Sequence, residues 1–146
     1  MNPLIIRPSN KFGPRQGNVF AKGVISTFLY KVKLNEPITL ISNGNSAKDF
    51  IYIDDLIKLS YDLSISKEVG IFNIGSGVGF TINQVIDFVK EITGKSPEIL
   101  LKDSENSLLD NNVLSISKTT RVLNCQPATS LYDGIVELWK WPNINE

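Results

Sequence analysis

The segment RPSNKFGPRQ, residues 7–16, places a lone arginine after an apolar run, an asparagine three residues on, and a Gly-Pro turn. That order of residue types ends a buried strand and opens a loop towards a ligand. Lys48 precedes the apolar run DFIYI. Read alone it is a solvated surface lysine, but beside a helix N-terminus and a Gly-rich turn it is placed to hold a phosphate. Asp54 and Asp55 are adjacent carboxylates, yet neighbours at a helix start point in different directions, so they read as capping groups rather than an acid/base pair. GSGVG (75–79) has its glycines at 75, 77 and 79, which misses the G-x-G-x-x-G spacing and reads as a structural turn. Histidine is absent and Cys125 is the single cysteine, so an imidazole base, a Ser-His pair and a His- or Cys-built metal site are excluded within this sequence. Chemistry here would rest on carboxylates, lysine, tyrosine or a bound cofactor.

The elements that must position these residues follow from periodicity. PLIIR (3–7) has the wholly apolar pattern of a strand buried on both faces. Val19, Phe20, Val24, Ile25, Phe28, Leu29 and Val32 recur at helical spacing, predicting an amphipathic helix to about Leu34. PITLI (37–41) reads as a strand, SNGN (42–45) as a turn and DFIYI (49–53) as a strand, after which Asp54 is expected to cap a helix to about Leu63. GIFNIG (70–75) is a further strand. Thr81 and Gln84 have the T-x-x-Q spacing of a capping box, for a helix closed by Gly94. PEILL (97–101) and VLSI (113–116) read as strands around the polar loop KDSENSLLDNN, and Ser117 and Ser130 as caps of two terminal helices. Phe12, Phe20, Phe28 and Phe72 are assigned to the core. Strands and helices alternate, so the fold class is α/β, organised as one domain over 1–146.

Lys plus Arg equals Asp plus Glu at 15 each, so no net field recruits nucleic acid or an anionic membrane. One cysteine suits a reducing compartment, and neither a signal-peptide layout nor an 18-residue apolar run is present. The expectation is a soluble, cytoplasmic chain.

Taken in order, RPSNKFGPRQ, then PITLISNGNSAKDFIYIDDLIKL, then GIFNIGSGVGFTINQVIDFVKEITG, the chain resembles the C-terminal part of NAD-dependent sugar-nucleotide epimerases and dehydratases. These are extended short-chain dehydrogenase/reductases, and the likeness is to the UDP-glucose 4-epimerase-like members. The resemblance implies a substrate-binding α/β domain plus the last strands of an incomplete Rossmann sheet, with NAD as the family's cofactor. The Gly-rich pyrophosphate loop and the family's Tyr-x-x-x-Lys pair have no counterpart here. Tyr30, Tyr52, Tyr61 and Tyr132 are followed four residues later by Leu34, Leu56, Ile65 and Val136. No catalytic residue is therefore assigned, and no NAD is expected on this chain alone.

The resemblance also implies roles. Asn10 would meet the sugar-nucleotide near its phosphate, Pro8 would lie against the nicotinamide, and Thr39 and Ile41 would line the uracil pocket. Lys48 stands where the family has a diphosphate-gripping arginine, keeping the charge but not the bidentate fork. KDSENSLLDNN lacks the family's second arginine, Ser115 replaces an aspartate, Cys125 an aromatic residue, and Ser42 a glycine. The expected protein is a truncated relative without turnover of its own. The rival readings are one half of a split epimerase completed by a separate Rossmann polypeptide, or a non-catalytic nucleotide-sugar-binding module. Without such a partner, PLII, FIYI and IFNI are expected to self-associate as orphaned strands, giving a homodimer.

Overall fold

The computed structural model describes residues 2–16, 23–102 and 111–142. In chain order its elements are β1 (Leu4–Pro8), β2 (Asn10–Phe12), α1 (Val24–Leu34), β3 (Ile38–Ile41), β4 (Ala47–Tyr52), α2 (Ile53–Ile65), β5 (Gly70–Ile74), β6 (Gly79–Thr81), α3 (Ile82–Thr93), β7 (Ile99–Lys102), α4 (Ser117–Leu123) and α5 (Leu131–Lys140). A short 3-10 turn at Ser42–Gly44 joins β3 to β4. The alternation gives the α/β class.

Three small sheets result. β1 pairs in parallel with β5, β3 pairs in parallel with β7, and β4 lies between parallel β2 and antiparallel β6. The larger core gathers Phe12, Phe28, Phe50 and Tyr52 with the apolar faces of α1, α3 and α5. Gly134 lets α5 sit directly on this core, since a Cβ there would come within 2.6 Å of the Phe12 ring and 3.0 Å of the Tyr52 ring. A second core lies between the β1–β5 pair and α2, built from Ile51, Leu56, Leu59, Leu63, Phe72 and Ile74. Cys125 packs against its edge, which gives the thiol an apolar filling role.

Local signals held where side chain and backbone could act within one turn. Thr81 accepts from the Gln84 N–H at 3.1 Å and Gln84 returns the bond at 2.8 Å, and Gly94 closes α3 in the left-handed conformation at φ 66°. Ser130 caps α5 by accepting from the Asp133 N–H at 3.0 Å.

Several boundaries differ from expectation. The Val19 and Phe20 part of the first helix, and Phe20 as a core residue, lie outside the described residues; the helix is seen from Val24. β4 starts earlier, and α2 begins at Ile53 with Tyr52 in the cap position, so Asp54 does not cap it. Asp55 is buried and accepts from the Ala128 and Thr129 N–H groups at 3.2 and 2.9 Å, tying α2 to the approach of α5. VLSI is not a strand; only Asn112 bridges to Lys48, because the segment spends its groups on loop and side-chain partners instead. Ser117 is the first residue of α4, and Ile116 occupies the cap position without a side-chain bond. FIYI is not orphaned: Phe50, Ile51 and Tyr52 are buried in the central strand of the three-stranded sheet.

Candidate functional site

Asn10 and Lys48 meet at one cavity of about 450 Å³, lined also by Ser9, Phe50, and Gly23 to Ile25 at the start of α1. The sheet explains the meeting. Asn10 faces Phe50 across the parallel β2–β4 pair, and Lys48 lies two residues before Phe50, on the same side of β4. Gly23 stands in the cap position of α1 with no side chain closing the helix, so its leading N–H groups have no side-chain cap. The cavity wall thus combines an ammonium, an amide and the positive end of an 11-residue helix. Such a wall is chemically suited to an anion.

Two polar atoms sharpen it. The Asn10 Nδ2 donates one of its two hydrogens to the Asp49 carbonyl at 2.9 Å. The Ser9 Oγ is buried and has no hydrogen-bond partner among the described residues. A buried hydroxyl left unpaired is uncommon in a folded protein and calls for a partner.

Pro8 ends β1 opposite Ile74 and is exposed, clear of this cavity. Thr39 is an exposed residue of β3, paired with Leu100, and does not line the cavity. The side chain of Ile41 lies outside the described residues. The structure therefore unites Asn10 with Lys48 and leaves Pro8 and Thr39 apart from them.

Periodicity missed the most connected residue. Asp49 is fully buried, and its carboxylate accepts from the Ser76 N–H and hydroxyl, both at 2.8 Å, from the Gly77 N–H at 3.1 Å and from the Leu114 N–H at 3.3 Å. The signal in the sequence was a charge opening an otherwise apolar strand.

A larger groove of about 960 Å³ is lined by Lys11, Arg15, Tyr52, Asp54, Glu137 and Trp141 among others. Its charges are mixed in sign, and the Arg15 guanidinium already lies 6.0 Å from the Trp141 ring centre. Burial, with Asp54 and Glu137 nearby, pushes the Tyr52 phenol up, so it is a proton donor at neutral pH and no base. Among the described residues no cluster of three or more His, Cys, Asp or Glu groups is arranged to hold a metal ion. No helix there is long and apolar enough to cross a membrane.

The family model described as the NAD dependent epimerase/dehydratase family matches residues 1–75. The chain belongs to that family. Family relatives extend the match over nearly all of it. The dTDP-4-dehydro-6-deoxyglucose reductase of Escherichia coli is 32% identical over 138 residues, covering 94% of this chain and 44% of the relative. The UDP-glucose 4-epimerase of Thermotoga maritima, solved with UDP-glucose, superposes with a TM-score of 0.88 at 28% identity, over 96% of this chain and 45% of that one. The Thermus thermophilus UDP-glucose 4-epimerase, solved with NAD, gives 0.84 at 27% identity, over 95% and 46%. The chain spans less than half the length of these relatives.

The family's cofactor asks for N–H groups to cradle a pyrophosphate. The Gly-rich turn after β5 does not fit that task, because the Ser76 and Gly77 N–H groups are spent on Asp49.

Proposed function

We propose that this chain is the nucleotide-sugar-binding part of an NAD-dependent sugar-nucleotide epimerase or dehydratase, the UDP-glucose 4-epimerase type among them, and does not turn substrate over alone. The observation that carries this reading is the convergence of Asn10, Lys48 and the α1 N-terminus on one cavity, beside the Ser9 hydroxyl, which is unpaired among the described residues. Its cationic and N–H-rich wall suits a diphosphate, and the Thermotoga relative was solved with UDP-glucose. Proton transfer at the sugar and hydride exchange need groups that these residues do not bring to the cavity. The chain's own part is to bind and orient the ligand.

Calorimetry with UDP-glucose tests the reading. Lys48→Ala removes the charged contact to the diphosphate, which is worth about 1.5–3 kcal/mol, or roughly a 10- to 150-fold loss of affinity. UDP-glucose affinity unchanged in this variant would remove Lys48 from the site, and an inert wild type would end the reading.

The β1–β5 pair supports a second element of the proposal: the sheet is completed by another strand along β1. Its far edge is closed. The Lys118 ammonium donates to the Ile71 carbonyl at 2.9 Å and the Thr119 hydroxyl to the Asn73 carbonyl at 2.6 Å, so α4 occupies the groups through which β5 would extend. Among the described residues nothing pairs with the outer edge of β1. On the face away from α2, the register partners Ile5 and Ile71 are each 43% exposed, whereas parallel pairs are covered on both faces. The remaining half of the family fold, on the same or a separate polypeptide, is the natural occupant. Purified without it, the chain is expected to pair β1 with β1 of a second copy, so light scattering over a concentration series should report a dimer. A monomer persisting at high concentration would overturn this.

A further inference from the structure

We infer that Asp49 is the positioning residue of the anion cradle: it acts through Asn10 and Lys48 and fixes where both stand. The inference rests on the reading that this cavity takes a nucleotide diphosphate.

A carboxylate with no exposed surface is costly unless its lone pairs are satisfied, so its retention needs a reason. Four donors satisfy it here, and they come from two distant segments, the Ser76–Gly77 turn and Leu114. The main chain of Asp49 is engaged as well. Its N–H donates to the Asn112 carbonyl at 2.9 Å, and its carbonyl receives the Asn10 Nδ2 at 2.9 Å.

The backbone on the other side of Lys48 is held too, since Ala47 accepts from the Asn112 N–H and donates to the Asn111 Oδ1, both at 2.9 Å. Lys48 is therefore clamped between two fixed residues, and the Asn10 amide is turned so that its second hydrogen is the one left for a ligand. Gly75 is part of the device, because a Cβ there would stand 2.5 Å from the Asp49 Oδ2. A negative charge next to an anion site repels the anion if it only fills space. Here the four donors turn that charge inward and spend it on geometry.

The test is calorimetry of UDP and UDP-glucose with the wild-type chain and Asp49→Asn, which keeps the shape and loses one acceptor. Leu63→Val, in the second core, none of whose buried residues lines the cavity, serves as a variant destabilised without touching it. Asp49→Asn is expected to bind both ligands at least tenfold more weakly while Leu63→Val binds as wild type. Asp49→Asn within twofold of wild type, or no weaker than Leu63→Val, overturns the inference. Should Asp49→Asn fail to fold, Ser76→Ala removes one of the four donors and is expected to weaken UDP about threefold; an unchanged affinity there overturns it as well. If the wild type binds neither ligand, the proposed function fails, and the inference is decided by the side-chain amide resonances of Asn10. Their displacement in Asp49→Asn or Ser76→Ala, with the α3 core amides unmoved, sustains the positional role; unmoved Asn10 resonances overturn it.

Discussion

Phe72→Ala is expected to destabilise the chain by about 3–5 kcal/mol, the range for emptying a fully buried aromatic site. Phe72 has no exposed surface and sits mid-strand in β5, against Leu56, Leu59 and Leu63 of α2 and Ile51 of β4. Its ring is also the surface over which the Lys118 ammonium lies, 3.9 Å from the centroid. Removing it takes the middle out of the second core and loosens α4, the element that closes the β5 edge. The neighbouring Leu59, Leu63, Ile51 and Ile74 side chains are themselves buried, so little material can collapse into the gap. Urea denaturation followed by circular dichroism would measure the loss. A cost under about 1 kcal/mol would mean that this core is not packed as described.

Gly75→Ala is the second large effect, on the order of 3 kcal/mol from overpacking and broken hydrogen bonds together. The added Cβ would meet the Asp49 Oδ2 at 2.5 Å and its Cγ at 3.1 Å. Asp49 has a short side chain already held by four donors, so it has no flexible end to move aside. Either the carboxylate leaves its donors or the turn shifts, and each exposes buried polar groups to loss. The same change should weaken UDP binding, because Asn10 leans on the Asp49 main chain. Thermal melts and calorimetry on one preparation would read both; a Gly75→Ala chain as stable as wild type would show that the turn has room to spare.

Much of the fold was legible because its signals are local. The capping box at Thr81 and Gln84 and the glycine stop at Gly94 involve groups within one helical turn, and both occur as read. Ser130 succeeded for the same reason. Ser117 and Asp54 failed because a capping residue must itself stay outside the helix, and both lie within the first turn. At α2 the strand runs directly into the helix through Tyr52, and nothing in the residue types announces that join.

Of the candidate site, residue types in order drew attention to Lys48 and to the segment that holds Asn10, and the likeness of that order to a known family implied the roles proposed for them. Composition alone excluded imidazole and metal-thiolate chemistry. What only the tertiary structure decided is how these residues come together. Asn10 and Lys48 are 38 positions apart and become neighbours through the parallel register of β2 on β4. GSGVG reads as a structural turn from its glycine spacing, but only the fold shows that its Ser76 and Gly77 N–H groups donate to a carboxylate 27 and 28 residues earlier. That carboxylate, Asp49, reads in the sequence as a polar strand end. Its burial follows from two distant chain segments folding over it, and hydrogen bonds across such separations leave no periodic trace, because each donor is an ordinary backbone N–H or serine hydroxyl that any sequence could carry.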